Sequence, residues 1–81
     1  MKQHYFTLTE DGAMIGTILA FGNESLTAKA KIAITEHFDC EVSEMPILNE
    51  DDYISTDGGT FDVVLEDLST QTITIQQTWL Y

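Results

Sequence analysis

The chain has 81 residues, with 14 acidic residues against 3 basic ones and a formal net charge of -11. Every base is a lysine (Lys2, Lys29, Lys31), so the clustered Lys and Arg that grip nucleic-acid phosphates are absent, and an anionic membrane surface would repel the chain. Its length fits one domain with a modest core, and its 43% hydrophobic content is too high for a disordered acidic tail.

Lys2 to Thr9 reads as a strand, rich in aromatic and β-branched residues. Asp11-Gly12 then signals a two-residue hairpin turn, in which both central residues take positive φ. Ala13 to Phe21 is the return strand. A regular register pairs Leu8 with Ile15, Phe6 with Thr17 and His4 with Leu19. Gly16 weakens that strand and marks a candidate bulge.

The stretch from Asn23 to Phe38 has clear helical character. Ala28, Ala30 and Ala33 favour the helix, and Asn23 or Ser25 is placed to cap it. Leu26, Ala30, Ala33, Ile34, His37 and Phe38 fall on one stripe and should face the core, with Ile32 on the far side. Asp39 to Ser43 reads as a short strand ending before Pro46.

The segment from Glu44 to Gly59 is the least regular part. It reads as a long loop with room for an extra strand around Met45 to Leu48. Thr60 to Glu66 and Gln71 to Tyr81 form a second hairpin. Bringing their apolar faces together pairs Leu65 with Ile73 and Val63 with Ile75, around a turn near Leu68-Ser69-Thr70. The expected fold is a single-domain, two-layer α+β structure. It has one mostly antiparallel sheet of 4–5 strands, ordered ββα and then 2–3 strands, with a single helix at about 24–38 packed on one face.

Candidate chemistry is sparse. The acidic run Glu50-Asp51-Asp52 with Asp57 offers oxygen ligands for a divalent cation, but its spacing fits no cation-loop motif, and a solvated charge run is the simpler reading. His37 and Cys40 supply two ligands where a structural zinc site takes about four. Thiol catalysis by Cys40 would need a base and an electropositive setting, and this chain is electronegative. No phosphate loop, nucleophile elbow or zinc-protease motif is present. Trp79, Leu80 and Tyr81 suit an interface or the edge of the core equally.

The expectation is therefore a small, acidic, non-enzymatic interaction module without a cofactor. It would be cytoplasmic, given the single cysteine and the lack of an apolar leader or spanning segment. Its partner would be a basic protein, for instance a nucleic-acid-binding protein that it inhibits or neutralises. The expected footprint is Glu50, Asp51, Asp52, Asp57, Asp62, Glu66 and Asp67, treated as exposed acids of the loop and the outer face of the second hairpin. The competing readings are a small-ligand or divalent-metal domain, with its site between the helix and the 44–59 loop, and a structural subunit of a homo-oligomer joined through Ile32 or a strand edge.

Overall fold

A computed structural model describes residues 4–54 and 58–78. Their elements run β1 (His4–Glu10), β2 (Ala13–Ala20), α1 (Asn23–Phe38), β3 (Val42–Glu44), α2 (Glu50–Ile54), β4 (Gly59–Leu65) and β5 (Thr70–Thr78). The strands form one antiparallel sheet in the order β2-β1-β5-β4-β3, and α1 packs on one face of it. This is the two-layer α+β arrangement that the sequence implies. The 44–59 segment departs from expectation. It holds no strand at 45–48, and it contains the short helix α2 as well as the start of β4.

The first hairpin turns at Asp11 and Gly12, with φ of 50° and 82°, as a turn with two left-handed residues requires. Its register differs from the regular one. Glu10 pairs with Ala13 and Thr9 with Met14, but Leu8 pairs with Gly16, so Ile15 is an extra residue in a bulge. Beyond it Phe6 faces Ile18 and His4 faces Ala20. The bulge swaps the faces of β2, so Ile18 and Ala20 enter the core and Thr17 turns outward.

The second hairpin is tighter than expected. The Leu68 N–H bonds the Leu65 carbonyl, and the Leu65 N–H bonds the Ser69 carbonyl, both at 2.9 Å. Leu68 takes a left-handed φ of 72° to close the turn. Phe61 therefore pairs with Ile73 and Val63 with Gln71, rather than Val63 with Ile75. The slip is even, so the apolar faces still coincide.

Helix α1 begins after Gly22 without a side-chain cap and ends at Asp39 in the left-handed conformation. Its buried stripe is Leu26, Ala30 and Ile34, spaced four apart. Ala33 and Phe38 pack at the rim, and His37 is exposed, so the stripe is narrower than predicted. Ala30 is fully buried and lets the helix lie close to the sheet. Phe6, Leu8, Ile73, Ile75, Val63 and Leu48 complete the core, and each buried Leu or Ile contributes about 2 kcal/mol.

The other face of the sheet has no second layer among the described residues. It presents Thr7, Thr9, Thr17, Thr60, Thr72 and Thr74 with Gln76 and Asp62. The hydroxyls of Thr7 and Thr78 bond each other across β1 and β5, and Thr72 donates to Asp62 Oδ1 at 2.8 Å. No described helix is long and apolar enough to cross a membrane.

Candidate protein-interaction surface

The predicted footprint divides in the structure. Asp62 projects from the open face of β4, and Glu66 and Asp67 occupy the turn after it; all three are exposed. Asp51 and Asp52 are exposed on α2, near the opposite end of β4, because the Tyr53 ring beside them packs against Gly59. The seven-residue strand puts Glu66 and Asp67 roughly 20 Å from the α2 end, with Asp62 about midway along it. Asp57 lies outside the described residues, as do Trp79, Leu80 and Tyr81.

Glu50 does not belong to an exposed patch. It is only 8% exposed, and its Oε1 lies 3.5 Å from His4 Nε2. Gln77 Nε2 bonds His4 Nδ1 at 3.0 Å, and the backbone N–H of Glu50 bonds Asn23 Oδ1 at 2.8 Å. The physical reason is the start of α2. The helix begins at Glu50, and Asn49 Oδ1 caps it by accepting from the Asp51 N–H at 3.0 Å. That cap turns Glu50 inward over the end of β1, while Asp51 and Asp52 face solvent. Burial raises the pKa of Tyr53 above its usual value, and the charge of Asp52 adds to the rise.

What the structure assembles instead is an acidic end at β3. The Glu66 N–H donates to the Glu41 carbonyl at 2.9 Å, which ties the segment before β3 to the turn after β4. Glu44 pairs with Val64, and Asp62 lies two residues along the same face. Asp39 adds an exposed carboxylate just past the end of α1. Asp39, Glu41 and Glu44 were absent from the expected footprint. Their signal was present in the sequence, since they lie in and directly after the predicted strand at 39–43. At the turn, Asp67 accepts bonds from the Ser69 hydroxyl at 2.6 Å and the Ser69 N–H at 2.9 Å, and these hold its carboxyl below the usual range.

A groove of about 750 Å³ runs through this acidic end. Val42, Met45, Pro46 and Val64 form its apolar floor, Glu44 and Asp62 its acidic rim, and Thr27 and Lys31 of α1 its far wall. Its position follows from the length of β3. That strand covers β4 only at Val64 and Leu65, so β4 before Val64 has no strand on that side among the described residues. The exposed side chains of Ile47 and Leu68 lie on the segments that flank the groove. Comparison with protein-family models, curated proteins and solved structures found no match.

The groove combines apolar area with the carboxylates of Glu44 and Asp62 and the ammonium of Lys31. Among the described residues, no three His, Cys, Asp or Glu side chains cluster closely enough to hold a metal ion. His37 is exposed with its ring edge-on to Phe38 at 4.8 Å, and Cys40 is a half-buried thiol packed against the core.

Proposed function

We propose that this protein is a non-catalytic interaction module that binds a basic protein through the β3 groove. The observation that carries the reading is an apolar floor edged by the carboxylates of Glu44 and Asp62 and walled by Thr27 and Lys31, next to a stretch of β4 with no strand on its outer side among the described residues. An extended segment bearing Lys or Arg and an apolar side chain fits that surface. Its cations would meet Glu44, Asp62 and Glu66, its apolar group would cover Met45 and Val64, and its backbone could align with β4. The net charge of -11 would draw such a partner in and raise the association rate. Nucleic-acid-binding surfaces are basic because they neutralise phosphates, and covering one would inhibit or neutralise its owner.

The test is a pull-down with tagged protein from its own cell extract at low and high salt, beside a variant carrying Glu44→Lys and Asp62→Lys. The expected result is one basic protein retained at low salt by the wild type, released at high salt and not held by the variant. A partner held equally by both proteins would sink the reading.

A further inference from the structure

The opposite edge of the sheet has the reverse character. From Ala13 to Gly22 the chain carries no ionisable side chain, although its net charge is -11. This stretch includes β2, which ends the sheet and, among the described residues, has a strand neighbour only on the β1 side. The hairpin turns the backbone groups of Gly16, Ile18 and Ala20 toward β1, so those of Thr17 and Leu19 point outward. Lys29 Nζ confirms that direction by donating to the Leu19 carbonyl at 2.5 Å, and it lies 5.2 Å from the centre of the Phe21 ring. Between this edge and α1 runs a shallow groove of about 310 Å³, lined by Thr17, Leu19, Lys29, Ile32, Ala33 and Glu36 among others. Ile32 is 58% exposed and Met14 is 61% exposed.

We propose that this edge and the α1 stripe beside it are the surface on which a second copy of the chain docks. Charge sets the line of approach. Two chains of -11 repel each other, and they approach at least cost across their uncharged strands. The stripe on α1 is also complementary to itself. Lys29, Ile32, Ala33 and Glu36 stand three, four and seven residues apart on one helical face. In a twofold antiparallel pairing centred between Ile32 and Ala33, Lys29 meets Glu36 of the partner subunit, and the same contact recurs by symmetry. Ile32 then covers Ala33 of the partner subunit, and the two β2 edges come together at Thr17. Lys29 has further donors beyond the one it gives to Leu19, so it can serve both contacts. The β3 groove lies at the far end of the sheet and stays open in both subunits. The dimer would thus present two copies of it, with the avidity that two linked sites give.

Sedimentation equilibrium of the full chain tests this directly, together with the variants Lys29→Glu, Glu36→Lys, their double exchange and Ile32→Glu. The substituted side chains are at least partly exposed, and far-UV circular dichroism checks each fold. The wild type should run at twice the 9.1 kDa chain mass. Each single change should weaken association on the order of tenfold or more. The double exchange should restore association, because it rebuilds both ion pairs with their signs reversed. Exchange protection of the Thr17 and Leu19 amides should rise with protein concentration. A wild type that stays monomeric at millimolar concentration overturns the proposal, including the case where a different polypeptide adds to β2. A dimer indifferent to all four variants overturns it as well.

Discussion

Asn23, the first residue of α1, accepts a hydrogen bond at 2.8 Å from the backbone N–H of Glu50, the first residue of α2. A residue placed to cap its own helix caps another one instead. Nearby, Thr27 Oγ1 accepts from the Leu48 N–H at 2.9 Å. The first two turns of α1 thus hold the segment leading into α2. Replacing Asn23 with Ala should cost about 1 kcal/mol in urea denaturation. Asn23→Asp keeps an acceptor oxygen and should recover most of that loss. Equal losses in the two variants would show that the contact does not support α2.

Leu68 is exposed and holds a left-handed φ of 72°. A leucine there is strained, and glycine relieves the strain. Leu68→Gly should raise stability by about 1 kcal/mol, read as a higher melting temperature. If Leu68 serves the β3 groove, the same variant should bind the proposed basic partner less tightly while being the more stable protein.

Gly58 has a φ of +107°, and a Cβ built on it would lie 2.5 Å from the Ile75 carbonyl oxygen. Backbone conformation and space both exclude a side chain there. Gly58→Ala should cost about 2 kcal/mol or more, since the left-handed penalty and the displacement of β5 act together. A melting temperature within a degree or so of wild type would contradict this account.

The Tyr53 hydroxyl ionises above its usual range, chiefly through burial and then through Asp52. The folded protein therefore holds this proton more tightly than the unfolded chain does. The resulting stability is intact below the ordinary tyrosine pKa of about 10 and is lost as pH rises through the folded value. Tyr53→Phe should flatten the alkaline fall in stability. Asp52→Asn should move the Tyr53 titration, followed by ultraviolet absorbance, down toward the ordinary value.

Asp67 shows the opposite sign. Bonds from the Ser69 hydroxyl and N–H lower its pKa. Its stabilising effect is present above the ordinary carboxylate pKa and fades as pH falls through the folded value. Ser69→Ala removes the larger contribution, so the Asp67 carboxyl should titrate at higher pH in an NMR series. An unchanged midpoint would mean that the hydroxyl bond does not form in solution.

The fold was legible where local rules were strong. Asp11-Gly12 marked its turn because few other pairs accept two positive φ angles in succession, and the helix was marked by its alanines and four-residue spacing. Registers were less legible, since each depends on a local detail. One extra residue at Ile15 inverted β2, and Leu68 accepted a conformation usually left to glycine. Glu50 was misjudged because charge alone predicts exposure, whereas Asn49 and Asn23 fix the start of α2 and turn that carboxylate toward His4. The β3 groove was illegible because it arises from a mismatch in length between β3 and β4, which no single segment records.

The central strand of the sheet, β5, pairs with β1 from the opposite half of the chain, Tyr5 against Thr78. During synthesis, β1, β2 and α1 emerge well before the strand that completes their sheet. Until β5 arrives, Phe6 and Leu8 have only part of their covering, and the inner edge of β1 lacks its partner. Folding should therefore wait on a late, long-range closure, and its rate should be set by that loop-closing event rather than by helix formation. The nascent first half is then the species most exposed to aggregation and to chaperone capture.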